Sequence, residues 1–157
     1  MKKLGYRPCV GVMLVNADGL VFVGRRIDNK EGDWWQMPQG GIDKGEPARE
    51  AALRELAEEV GARPDHVSLI GEMAEPVRYD LPEELMGKLW GGKYRGQEQT
   101  WYLARFTGAD TDIDLEAHDP PEFCDWKWAD PETLSDLIVP FKKRVYRAVL
   151  EEFRDLI

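Results

Sequence analysis

The stretch GGIDKGEPAREAALRELAEEVGA, residues 40 to 62, changes period part-way along, and that change decides the kind of fold to expect. Gln39 to Gly45 is glycine-rich and polar without any repeat, which is the composition of a loop. From Pro47 to Val60 the residues Ala52, Leu53, Leu56 and Val60 fall on one helical stripe; Pro47 suits a first-turn position and Gly61 a left-handed stop. On this helix Glu55, Glu58 and Glu59 are spaced i, i+3, i+4, so their carboxylates project from about one turn on one face. Like charges so placed repel, each pair by roughly 0.2 to 0.5 kcal/mol in water. Hard divalent cations are the natural remedy. Oxygen-only ligands select Mg²⁺ or Mn²⁺ over zinc, and Mg²⁺ commonly bridges carboxylates to phosphates, so the helix points to phosphate chemistry. Arg54, on the flank of the same helix, is expected within reach of Glu50 and Glu58, where it would hold a carboxylate in orientation. Gly40 and Gly41 let the backbone come close to a metal or phosphate.

A Glu-Leu-Ala-Glu-Glu cluster standing alone is ordinarily a solvated helix face. The full spacing argues otherwise. Gly40, Glu46, Arg54, Glu55, Glu58, Glu59 and Gly61 occupy specified positions; at about 6% per position by chance, a match is expected less than about once in a million chains of this length.

Outward from the helix, the elements are mixed. Val10 to Val15 and Leu20 to Val23 read as a hairpin turning at Asn16-Ala17-Asp18-Gly19, and Trp34 to Pro38 as a short extended piece. Val67 to Ile70, Gln99 to Phe106 and the alternation Phe123, Trp126, Trp128 read as further strands; Trp101, Trp126 and Trp128 are expected in the core. Pro131 opens a short helix, and Lys142 to Leu156 carries Val145, Val149, Phe153 and Leu156 at helical spacing. Without regular βαβ alternation this predicts an α/β (α+β) fold around a mixed sheet.

The whole chain bounds the function further. Its 157 residues, 43% hydrophobic and 32% charged, fit one domain spanning residues 1–157, with no linker or repeat to divide it. The net charge of -9 excludes bulk attraction to DNA, long RNA or anionic membrane, so a phosphate-bearing partner must be gripped locally. Cys9 and Cys124, the only cysteines, stand apart without metal-type spacing, which suits a reducing cytoplasm. The apolar run Cys9 to Val15 is too short for a signal core, and nothing approaches a membrane span. His66 and His118 sit in polar, loop-like surroundings and are expected at the surface; no Ser-His or Cys-His nucleophile set is evident.

The spacing from Gly40 through Glu46 to Arg54-Glu55-Leu56-Ala57-Glu58-Glu59-Val60-Gly61-Ala62 resembles the Nudix box of hydrolases acting on nucleoside diphosphates linked to another group. Only Ala62 departs, where the family usually has a bulkier aliphatic residue. The resemblance implies an α/β/α sandwich with a mixed central sheet, and Glu55, Glu58 and Glu59 as ligands of catalytic Mg²⁺, with Mn²⁺ as substitute and the Gly40 carbonyl assisting. Beyond the box, Gly5-Tyr6-Arg7-Pro8, Trp35 to Gly41, Arg78 to Pro82, Gly96 to Gln99, Pro121-Glu122-Phe123 and Phe141 to Tyr146 look like the branch of bacterial RNA pyrophosphohydrolases and plant-type dinucleoside tetraphosphate hydrolases. That branch implies Glu122 as a further ligand or the base that activates water, and Tyr79 and Phe141 as two sides of a purine site with Lys142 nearby. Arg26 and Arg95, and less strongly Arg78 and Lys93, are candidates to neutralise phosphates.

Two substrates follow from the resemblance: the 5′-triphosphate end of RNA, which is preferred, and dinucleoside polyphosphates such as diadenosine tetraphosphate. A nucleoside-sugar or nucleoside triphosphate hydrolase is disfavoured by the motifs outside the box. A silent nucleotide- or metal-sensing module would be marked by loss of a box glutamate or of Arg54, and none is lost.

Overall fold

The apolar run that follows Pro8 becomes the middle of a sheet. In the computed structural model, which describes residues 4–27, 33–85 and 90–157, β1 (Gly5–Val15) pairs in parallel with β7 (Tyr94–Phe106) along almost its whole length, from Gly5↔Tyr94 to Val15↔Arg105. A strand buried on both faces reads as continuous hydrophobic sequence, and Cys9, Val10 and Val12 to Val15 are all fully buried. β1 turns into β2 (Val21–Arg26) as predicted; the Asn16 side chain accepts from the Asp18 and Leu20 amides, each at 3.0 Å, and holds the turn.

The other strands are β3 (Trp35–Gln36), β4 (Gln39–Gly41), β5 (Val67–Glu72), β6 (Val77–Asp80) and β8 (Phe123–Ala129). Their order is β3-β2-β1-β7-β5, with β4 also beside β1, β6 beside β7 and β8 beside β2. Among the described residues every pairing but β1 with β7 is antiparallel. The β1–β2 hairpin is joined only near its turn, at Val15↔Val21; below it β1 takes β4 as partner while β2 takes β3 and β8. The sheet therefore opens into two arms. The functional cleft lies where they diverge.

Helices cover both faces, giving the expected α/β/α sandwich. Val10, Val12 and Leu14 pack with Phe22, Phe123 and the Leu56–Val60 side of α1 (Ala48–Glu59). Met13 and Val15, pointing the other way, pack with Trp101 and with Val145, Tyr146, Val149 and Phe153 of α3 (Lys143–Phe153), beside the short α2 (Leu134–Leu137). Each such buried side chain stabilises the fold by about 1.5 to 3 kcal/mol.

Several local expectations are corrected. Pro47 is the N-cap residue of α1 rather than part of its first turn. The buried stripe of α1 contains Ala51 and Ala52, with Leu53 only half-buried, because the helix is rolled to turn Glu55 and Glu59 inward. Gln39–Gly41, expected as loop, is a strand whose backbone is claimed by β1. β6 is a four-residue strand between Pro76 and Leu81, too short to show a period in sequence. Lys142 belongs to a 3-10 turn, Pro140–Lys142, ahead of α3. Trp101 is fully buried as expected, whereas Trp126 and Trp128 are half-buried and pack on the outside of the α1-side core.

Candidate active site

Arg54 organises one wall of the cleft. Its Nε and Nη2 donate to the two carboxylate oxygens of Glu46 at 2.9 and 3.0 Å, the fork-to-carboxylate geometry that only guanidinium supplies. Nη2 also donates to the Gly41 carbonyl at 2.9 Å, and Nη1 to Glu55 at 3.0 Å and Glu58 at 3.3 Å. Glu46 in turn accepts from the Asp43 amide at 3.0 Å, which ties the loop to the helix. Of the two partners expected from spacing, Glu58 is bonded and Glu50 is not. That carboxylate is exposed one turn earlier, while the fold brings Glu46 back over Arg54. Arg54 and the Asp43 amide hold the Glu46 carboxyl down at about 2.

The remaining carboxylates crowd. Burial first, and then the Glu58 charge, raises the Glu55 carboxyl above its ordinary value against the pull of Glu59 and Arg54. Glu59 is raised much further, by burial and then by its hydrogen-bonded neighbour Glu55 and the charge of Glu122. Gly40 lies hard against this group, since a Cβ there would fall 2.1 Å from the Glu55 carboxyl carbon. Among the described residues no three His, Cys, Asp or Glu side chains form a finished ion cage, and Arg54 takes one oxygen of Glu55 and one of Glu58. The donor chemistry nevertheless fits a hard divalent cation. It is all oxygen, it is self-repelling, and among the described residues Glu59 Oε2 is buried with no hydrogen-bond partner.

The cleft, about 800 Å³, brings Glu55, Glu58 and Glu59 together with Gly40, Glu122, Arg26, Tyr79, Phe141 and Lys142. Arg26 and Glu122 face each other at 3.6 Å. Lys142 is buried, its ammonium 5.5 Å from the centre of the Tyr79 ring, and burial followed by the charge of Arg26 pushes it down to about 8. The expectation that Tyr79 and Phe141 flank a base from two sides does not match this arrangement. Their ring centres are 5.8 Å apart and tilted by 42°, so the rings contact each other, and Tyr79 is core-buried while Phe141 is half-buried. Arg95 is not among the residues that line the cleft. It is paired with Asp80 at 3.1 Å and set over the Tyr6 ring, and Arg78 is likewise paired with Glu98 over that ring.

Arg7, Gln36, Gln39, Gln97 and His118 also line the cleft and were not singled out for it. Arg7 had a legible signal, a cation opening a buried strand beside Pro8. Gln36, Gln39 and Gln97 stand in the segments Trp35 to Gly41 and Gly96 to Gln99 that carry the wider resemblance, where no role was assigned to them. His118 is exposed, as expected, but on the cleft rim.

A mixed sandwich with an oxygen-only acidic wall facing a cationic, aromatic one defines a class, and similarity to known proteins agrees. The Nudix domain model matches residues 5–149, and the chain belongs to the Nudix family. It is 67% identical over 154 residues to an RNA pyrophosphohydrolase of Novosphingobium aromaticivorans, covering 98% of this chain and 96% of that one. An RNA pyrophosphohydrolase of Erythrobacter litoralis is 65% identical over 154 residues, covering 98% and 94%. The fold also superposes on the E. coli dihydroneopterin triphosphate pyrophosphohydrolase with a TM-score of 0.72 at 22% identity, covering 94% of this chain and 96% of that chain. A C. elegans Ap4A hydrolase gives a TM-score of 0.68 at 18% identity over 95% and 98%. The chain is thus a hydrolase of phosphoanhydride bonds, of a family that generally requires divalent metal ions.

Proposed function

We propose that this chain, as a single domain, removes pyrophosphate from the 5′-triphosphate end of RNA in the cytoplasm, with Mg²⁺ as the working ion. The observation that carries this is the 67% identity to an RNA pyrophosphohydrolase over 98% of the chain. The free thiols of Cys9 and Cys124 fit a reducing compartment, and among the described residues no helix is long and apolar enough to cross a membrane.

Glu55, Glu58, Glu59 and Glu122, with the Gly40 carbonyl, are the groups that would hold Mg²⁺; Mn²⁺ fits the same oxygens. When bound there, such an ion would neutralise phosphate charge and lower the pKa of water for attack. Arg54 fixes the directions of Glu55 and Glu58, so that little reorganisation accompanies substrate arrival. Arg7, Arg26 and Lys142 face the phosphate chain, and the open face of Phe141 meets the terminal base. Water attacks phosphorus in line, the phosphoanhydride bond breaks with pyrophosphate leaving, and a cleft carboxylate takes the water proton. RNA with a 5′-monophosphate remains.

Dinucleoside polyphosphates present the same groups and are the competing substrate. Turnover of triphosphorylated RNA and of diadenosine tetraphosphate, measured side by side with Mg²⁺, tests the reading. A higher kcat/KM on RNA is expected; a preference of tenfold or more for diadenosine tetraphosphate overturns it.

A further inference from the structure

A hydrogen-bond chain runs from the core to the floor of the cleft, and its direction is fixed at the buried end. Trp101 is fully buried and its ring occupies the space a Cβ on Gly11 would need, 2.5 Å from the indole carbons, so glycine there is what lets the indole sit flat on β1. The indole nitrogen can only donate. It donates to Gln99 Oε1 at 2.9 Å, which leaves the Gln99 amino group pointing the other way. That group donates twice, to Gln97 Oε1 at 2.7 Å and to Gln39 Oε1 at 2.8 Å. Both receiving amides accept through oxygen, so the ends left to face the cleft that both residues line are amino groups. On the same wall Gln36 keeps a buried amino group with no hydrogen-bond partner among the described residues.

We infer that Trp101 and Gln99 are positioning residues that lock Gln39 and Gln97 with their amino groups toward the cleft, making this wall a donor-only surface for the substrate's phosphate oxygens. This rests on the proposed function in one respect, that the occupant of the cleft is a phosphate chain. An amide free to flip offers oxygen half the time and repels a phosphate; an amide held by the chain does not. The lock needs no charge, so it adds selectivity for acceptor groups where Arg7, Arg26 and Lys142 already supply attraction.

Binding of inorganic tripolyphosphate, titrated at fixed Mg²⁺ into the wild type and into Gln99→Met and Gln99→Glu, tests the lock without relying on turnover, with thermal unfolding of each variant alongside. Gln99→Met lets both amides turn and should weaken binding about fivefold to twentyfold. Gln99→Glu accepts where glutamine donates, turning both amino groups inward and both oxygens toward the cleft, and should weaken it several times more. Folded variants that bind as the wild type does, or that are weakened equally, overturn the inference. Should both fail to fold, Gln39→Met and Gln97→Met decide it: a loss of about threefold or more in each is expected, and unchanged affinity in both overturns it. Failure of the wild type to act on triphosphorylated RNA, with tripolyphosphate binding and its dependence on Gln99 intact, would overturn the substrate and leave the lock standing.

Discussion

The two walls of the cleft solve the same problem, burying charge next to phosphate, in opposite ways. The acidic wall is local: Gly40 to Glu59 supplies its helix, its loop and the guanidinium that ties them, and Arg54 satisfies Glu46, Glu55 and Glu58 at once. The cationic wall is gathered from the start of β1, the end of β2 and the turn before α3. Its buried member, Lys142, rests against the rings of Tyr79 and Phe141. One wall therefore carries an excess of negative charge that a cation relieves. The other carries positive charge that a phosphate relieves. Each is left strained by itself and completed by what binds between them.

The largest effect is expected from removing charge from the acidic wall. Glu58→Gln and Glu59→Gln keep shape but lose the charge that holds the cation, and single-turnover kinetics at saturating Mg²⁺ should show the chemical step slower by about a hundredfold or more. Glu59→Gln should unfold no earlier than the wild type without metal, since it imitates the protonated acid that burial already favours. Near-normal turnover in either variant would remove that residue from the metal site.

Removing the tie comes next. Arg54→Ala leaves Glu46, Glu55 and Glu58 without their shared donor, and urea unfolding should record a loss of about 2 to 4 kcal/mol. A loss below about 0.5 kcal/mol would show the network to be ornamental.

Lys142 tests the opposite wall through pH. Its ammonium is lowered by burial to about 8 in the folded protein, so between pH 8 and 10 the unfolded chain holds a proton that the folded one has released. Stability contributed by this group therefore rises across that window, by about 2 kcal/mol, and Lys142→Met should abolish the rise while stabilising the protein at pH 7. An unchanged profile would place the strain elsewhere.

Smaller still is Phe141→Ala. Half of this ring is already covered, partly by Tyr79, so substrate affinity should fall by about 1 to 2 kcal/mol with a modest loss of stability. Loss of about 3 kcal/mol or more of stability with unchanged affinity would make it a core residue. The least change is expected from lengthening the RNA. With a net charge of -9, and with Arg7, Arg26 and Lys142 as the cations that line the cleft, a Glu59→Gln variant should bind triphosphorylated RNAs of increasing length within about twofold and with a shallow salt dependence. A slope corresponding to about six phosphates would reveal a basic track outside the cleft.

The features legible before folding are those that a single helix and its loop encode. The spacing of Glu55, Glu58 and Glu59 is fixed by 3.6 residues per turn, so their convergence was legible before any contact was known. The hairpin, read from two apolar runs around a glycine turn, and the apolar face of α3, read from its helical spacing, were legible in the same local way. Tertiary structure decided everything that depends on elements meeting across the sheet. It chose Glu46 over Glu50 for Arg54, rolled α1 to bury Glu55 and Glu59 in place of Leu53, and made a strand of Gln39–Gly41 by offering it the edge of β1. It also set Arg95 on Asp80 outside the cleft, pressed Tyr79 against Phe141, and linked Trp101 to Gln39 through Gln99. Helical spacing is a property of neighbours in the chain; which side chains face one another across a gap between two sheet arms is set by strand register, and register is written only in the packed whole.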